Sequence, residues 1–140
     1  MSITRINSLG ITDGTIVNGD INDSAAIAST KLSGVNDAKA WVNFNGTGTV
    51  AIRASFNVSS ITDNGTGDYT VNFTTALTDA NYAVNVTAKE FNTTASSSVF
   101  GNLARQTVAN TYATSSIRVV AQAGSEALVD VVVMNVSVFR

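Results

Sequence analysis

Histidine, cysteine and proline are all absent from this chain of 140 residues. Without His, the commonest general base, the commonest zinc ligand and the usual partner of a nucleophilic Ser are missing. Without Cys there is no disulfide framework and no thiolate metal site. Charge is sparse too. Asp, Glu, Lys and Arg make up 13% of the residues, against roughly 25% in an average soluble chain. The net charge is −2 and the eight basic residues are scattered. Phosphate recognition needs clustered Lys and Arg, so no nucleic-acid partner is expected. No apolar stretch approaches the roughly 20 residues that span a bilayer. The longest apolar run, Val131-Val132-Val133-Met134, reads as a strand core, and membrane insertion is not expected. Met1-Ser2-Ile3-Thr4-Arg5 lacks the apolar core of a signal peptide, so synthesis in a cytoplasm is expected.

Polarity comes instead from Ser, Thr and Asn, about a third of the chain, residue types that make poor helices, Thr being also a good strand former. Such a surface stays soluble through neutral hydrogen-bonding groups. Asn45, Asn57, Asn72 and Asn85 each begin an N-x-S/T sequon. With no export signal in view, these follow from an Asn- and Thr-rich composition.

Residues 1–38 differ from the rest. They contain no Phe, Tyr or Trp, and Ile6, Ile11, Ile16 and Ile21 recur at intervals of five. That spacing fits neither a helix of period 3.6 nor a strand of period 2. It fits an extended, turning chain whose isoleucines align at intervals. Alone, such an arm buries too little apolar surface to offset its ordering entropy. It therefore needs a partner, either copies of itself or another protein; the alternative is a floppy leader with chance spacing. A short helix is expected near residues 24–33, capped by Asp23 or Ser24 and stopped by Gly34, with Ala25, Ala28 and Leu32 on one face. Its two to three turns are too few to be stable unaided. Ile6, Ile11, Ile16, Ile21 and Leu32 are thus the candidate assembly residues of the arm.

Residues 39–140 read as a β domain. Trp41 to Phe44 opens it, and Asn45-Gly46-Thr47-Gly48 turns. Thr49 to Val58 alternates, which places Val50, Ile52, Ala54, Phe56 and Val58 on one side of a single strand. Thr62 to Asp68 is the strongest turn, with Asn64-Gly65 suited to positive φ. Tyr69, Val71 and Phe73 alternate next, then Tyr82, Val84, Val86 and Ala88. Ser116 to Gln122 is a further strand. Leu128 to Phe139 is a long last one, with Val132, Met134, Val136 and Val138 on one face. Its middle is apolar on both sides, which suggests burial between layers or between subunits. Those four residues are the candidate assembly residues of the β domain. Six or seven strands with frequent turns give an antiparallel β-sandwich, a knob preceded by an extended N-terminal arm.

The search for chemistry finds little. The carboxylates sit mostly in turn dipeptides, where they hydrogen-bond local backbone. Asp63, Asn64 and Asp68 could offer hard oxygens to calcium, but the loop lacks the spaced carboxylates and terminal Glu of a calcium loop. Asn45-Gly-Thr-Gly and Asn64-Gly-Thr-Gly lead into strands, not helices, so they are hairpin turns and not phosphate cradles. Trp41, the only Trp, is expected in the core, the alternative being an exposed ring that stacks on a sugar. No catalytic residue, cofactor or metal is expected.

Two stretches carry a resemblance. Gly14-Thr-Ile-Val-Asn-Gly-Asp-Ile-Asn-Asp-Ser-Ala-Ala-Ile-Ala-Ser-Thr-Lys-Leu-Ser-Gly34 resembles the leader of phage tail fibre and other virion structural proteins. Ala40 to Val58, followed by Ile61-Thr-Asp-Asn-Gly-Thr-Gly-Asp-Tyr-Thr-Val-Asn-Phe73, is similar to the β domain of phage fibre-like proteins, notably those of cyanophages. The resemblance implies a homotrimer. The expectation is a virion structural protein: a short tail fibre, a head fibre or a capsid decoration (cement) protein. Its partners would be itself, other capsid or tail proteins, and a host-surface glycan if it is adhesive. The rival expectation is a carbohydrate-binding module without a structural role, which requires exposed aromatics on one face.

Overall fold

A computed structural model describes residues 21, 22, 24, 25, 27, 37–89, 98–104, 111–124 and 126–140. The chain divides into two units, Met1–Val35 and Asn36–Arg140. In the first, the Asn22 side chain accepts a hydrogen bond from the Ser24 backbone N–H at 2.8 Å. This local turn is built by Asn22, a residue not expected to cap. Ile21 is exposed. Ile6, Ile11, Ile16 and Leu32, and the helix expected near 24–33 as a whole, lie outside the described residues.

The second unit is mainly β, with eight strands among the described residues: β1 (Ala38–Asn45), β2 (Ala51–Phe56), β3 (Val58–Gly65), β4 (Asp68–Phe73), β5 (Ala83–Lys89), β6 (Val99–Leu103), β7 (Ser116–Ala123) and β8 (Val133–Phe139). They form two four-stranded antiparallel sheets, ordered β2-β1-β8-β5 and β3-β4-β7-β6. The central strands of each sheet supply the core. Ala40, Val42 and Phe44 from β1 and Met134, Val136 and Val138 from β8 are buried, as are Tyr69, Val71 and Phe73 from β4 and Ile117, Val119 and Ala121 from β7. The period of two in these segments is what selects the buried set. Phe44 and Tyr69 meet edge to face across the core, with ring centroids 5.2 Å apart.

The stretch expected as one strand, Thr49 to Val58, is two strands in two sheets. Asn57 sits at φ 54° and ends β2. Asn tolerates this left-handed conformation better than most residues. Its amide nitrogen donates to the Lys39 and Thr75 carbonyls at 3.0 and 3.1 Å, and its Oδ1 accepts from the Thr75 N–H at 2.8 Å. The chain thus crosses from one sheet to the other through a single knotted residue. A bulge corrects the expected facing as well. Asn43 pairs with Ala54 but Phe44 pairs with Ile52, which leaves Arg53 as the extra residue. Ile52 therefore shares the inward side with Phe44, while Ala54 and Phe56 share the outward side with Asn43 and Trp41.

β8 also differs from expectation. Met134, Val136 and Val138 are 0–1% exposed within the chain itself, packed in the sandwich interior. Their burial comes from intramolecular contacts, the first of the two placements expected for this strand, between layers. Val132 lies before the strand, half-buried. Of the outward positions of β8, Asn135 and Ser137 are polar, and Val133 and Phe139 at its two ends are apolar.

Candidate binding face

The outward face of the β2-β1-β8-β5 sheet is the surface whose residues depart most from a plain solvated face. Register places two rows side by side upon it. One row is Phe56, Trp41, Ser137 and Asn85; the next is Ala54, Asn43, Asn135 and Thr87. Directly opposed residues in antiparallel strands share a face. Trp41 is 39% exposed and Phe56 55% exposed. The expectation that Trp41 fills the core is overturned. Val42 and Phe44 take the inward phase of β1, so Trp41, one residue out of phase, must face out.

Beside the aromatics runs a ladder of neutral groups. The Asn43 amide nitrogen donates to Asn135 Oδ1 at 2.5 Å, and the Asn135 amide nitrogen donates to Thr87 Oγ1 at 3.1 Å. The ladder fixes both amide orientations and leaves a second N–H on each amide, together with the Asn43 oxygen, facing solvent. Neither row contains a charged side chain.

At the sheet edge, β2 is exposed along all six residues, and four of them are Ala, Ile or Phe. Ile52, though on the inward side, is 36% exposed. Among the described residues nothing covers the sandwich along this edge.

The loop considered for calcium is engaged otherwise. Asp68 receives two hydrogen bonds from Arg118, at 2.8 and 2.5 Å, and a third at 3.3 Å from the Asn64 amide, which also donates to Thr70. The Arg118 guanidinium holds the Asp68 carboxyl below its ordinary range, even though partial burial opposes this. Asp63 accepts the Gly65 N–H at 2.9 Å. No group of three or more potential metal ligands occurs among the described residues. Arg140 pairs with Asp79 at 2.7 Å and donates to Thr78. An open cleft of about 460 Å³ between β5 and β6 is lined by Val84, Asn85, Val86, Gly101, Asn102 and Leu103. These residues offer no acid, base or nucleophile.

No family model, no curated protein and no solved structure matches this chain.

Sequence reasoning missed Trp41, Phe56, Asn43, Asn135 and Thr87 as neighbours. The phase of Trp41 against Val42 and Phe44 was a usable signal. The juxtaposition with Asn135 was not, because it depends on pairing between strands 92 residues apart.

Proposed function

We propose that this chain is a phage virion structural protein: a trimeric fibre or knob whose N-terminal arm, with its short helix, attaches it to the particle. The open edge of β2 carries this reading. Unpaired strand edges with apolar side chains recruit another strand, and monomeric proteins ordinarily blunt them with charge, Pro or a covering element. Here Arg53 is the only charged residue of β2, and it bends away to donate to the Val132 carbonyl at 2.6 Å. A partner strand would cover Ile52 and complete the sandwich. Within the β domain, this edge takes the assembly role first expected of Val132, Met134, Val136 and Val138. The arm isoleucines and Leu32 supply the second contact. The neutral Ser-, Thr- and Asn-rich surface and the resemblance of residues 14–34 and 40–73 to virion proteins support a short tail fibre, head fibre or decoration protein, non-catalytic and located on the virion.

A specific observation favours a second reading, a carbohydrate-binding module. It is the exposure of Trp41 and Phe56 together on one face. The two readings part on assembly. Light scattering on the full chain, on a chain beginning at Lys39 and on Ile52→Lys distinguishes them. The virion reading expects a trimer that weakens in Ile52→Lys. A full chain that stays monomeric at high concentration would overturn the trimer and leave the module.

A further inference from the structure

We infer that the outward face of the β2-β1-β8-β5 sheet binds a neutral saccharide, with Trp41 as the stacking platform and the Asn43–Asn135–Thr87 ladder reading hydroxyl groups. The inference rests on the carbohydrate-binding reading above and deepens it. A pyranose has an apolar C–H face and a rim of hydroxyls that both donate and accept. A binding surface for it needs an exposed flat aromatic ring beside fixed neutral donors and acceptors. Both are present here within two rows of one sheet. Neighbouring strands lie about 4.8 Å apart, so a ring on Trp41 has Asn43 on its own strand and Ser137 and Asn135 one strand away. Asn43 and Asn135 hold each other's amides in place, so little orientation is lost when a sugar hydroxyl arrives. Asn85 and Thr87 continue the polar rows to β5, and Phe56 extends the apolar end beyond Trp41. The face therefore suits a chain of sugars laid across the strands better than a single one.

The absence of charge from both rows selects the ligand class. A sulfated or uronic-acid glycan laid along these rows would lose water from its anions and meet cations only beyond them, at Lys39 two residues before Trp41, at Lys89 two residues after Thr87 and at Arg53, which is held to the Val132 carbonyl. A second copy of this chain is a poorer occupant for this face. The cores of stable protein interfaces are more apolar than their surroundings, whereas here two of the four central side chains are amides. The need for another strand arises at the β2 edge, not on this face.

Because Trp41 is the only Trp in the chain, its fluorescence reports on this face alone. The full-length protein is titrated with cellohexaose, maltohexaose, mannohexaose and galactan oligomers, and run through gels containing hydroxyethylcellulose, galactomannan, dextran or alginate. The expected result is a blue shift of Trp41 emission and retardation by at least one neutral polymer, with none by alginate. Trp41→Ala is expected to weaken binding roughly tenfold or more, and Asn135→Ala several-fold, on the scale of one stacking contact or one hydrogen bond. Phe100→Ala, an exposed aromatic on the other sheet, is expected to bind as the parent does. Failure of every neutral glycan up to about 10 mM, beyond weak millimolar affinity, would overturn the inference. So would retardation that Trp41→Ala leaves unchanged. An emission shift that follows protein dilution, and not glycan, would assign the face to a second copy and overturn it likewise. Light scattering on the same samples separates this failure from failure of the assembly reading: a trimer blind to all glycans rejects the site alone, and a monomer that binds rejects the trimer alone.

Discussion

At the scale of single residues, a few side chains decide the route of the backbone. Asn57 is one of them. Its positive φ, its two donated hydrogen bonds and its accepted one all lie at the crossing between sheets. Replacing it with Ala keeps the left-handed backbone without the side-chain hydrogen bonds that help Asn to adopt it and leaves two carbonyls and an N–H without their partner. Each lost hydrogen bond costs about 0.5–1.5 kcal/mol and the backbone conformation about 1 kcal/mol. Asn57→Ala is therefore expected to lower stability by about 2.5–5.5 kcal/mol in urea unfolding, with the slope of the transition unchanged. A loss under about 0.5 kcal/mol, the range of ordinary surface substitutions, would contradict the role given to this residue. Asn57 also begins a sequon, and its amide is already engaged with backbone on both sides. The Asn72 amide is engaged too, donating to the side-chain hydroxyls of Ser60 and Thr62. Those two positions are part of the fold's own hydrogen bonding.

At the scale of elements, strands with an undisturbed period of two could be read, the edge strand β5 among them, and strands broken by a single-residue irregularity could not. Tyr69, Val71 and Phe73 in β4, and Met134, Val136 and Val138 in β8, are buried on the face that their alternation marks. β2 alternates just as well in the sequence, yet all six of its residues are exposed, while β3 carries only Val58 and Ile61, three residues apart, and does not alternate. The bulge at Arg53 and the break at Asn57 are single-residue events that a pattern of apolar residues does not record. The sequence left β8 open between two layers and two subunits for a related reason. An apolar strand reads alike whether its second layer comes from its own chain or from another copy. The binding face was the least legible part, since its rows are assembled from four strands distant in sequence.

β6 shows how an edge is closed rather than left open. Gly101 faces inward between Val99 and Leu103 and lies against β5. A β-carbon there would come within 2.7 Å of Val86 Cγ1 and 3.1 Å of the Thr87 backbone. The glycine lets the two sheets approach at this side of the sandwich, the reverse of the uncovered β2 side. Gly101→Ala is expected to cost about 1–3 kcal/mol, the usual range for overpacking. Adding Val86→Ala removes the nearest clashing atom but not the Thr87 backbone. The double variant is therefore expected to be more stable than the sum of the two single losses implies, which urea unfolding of the four proteins measures. Strict additivity would mean that β5 and β6 do not press on each other at this point.

At the scale of the whole molecule, two tyrosines tie the layers together near opposite ends of β4. The Tyr69 hydroxyl lies 2.8 Å from the Gly46 carbonyl oxygen and 3.1 Å from the Asp130 carboxylate, and Asp130 also accepts the Gly67 N–H. Near the other end, Tyr82 packs edge-on against Phe73, and its hydroxyl reaches the Ala113 and Ser116 carbonyls at 3.0 and 3.1 Å. Burial pushes both phenols up, Tyr82 to about 12 from an ordinary 10.0, and Tyr69 further, with the Asp130 charge adding to burial. The fold thus favours the neutral form of each. The unfolded chain ionises first, near the ordinary 10.0, so their stabilising contribution is whole below that pH and is lost as pH rises from 10.0 towards about 12. Alkaline titration is expected to show Tyr69 and Tyr82 ionising together with the loss of β-sheet circular dichroism, not before it. Tyr82→Phe is expected to be less stable at neutral pH by about 1 kcal/mol, the worth of the lost hydrogen bond. Its stability should also fall less steeply above pH 10.0, because one shifted group no longer titrates. If both phenols ionised near the ordinary value while the sheets stayed intact, the clamps would be solvated and the two layers would be held by apolar packing alone.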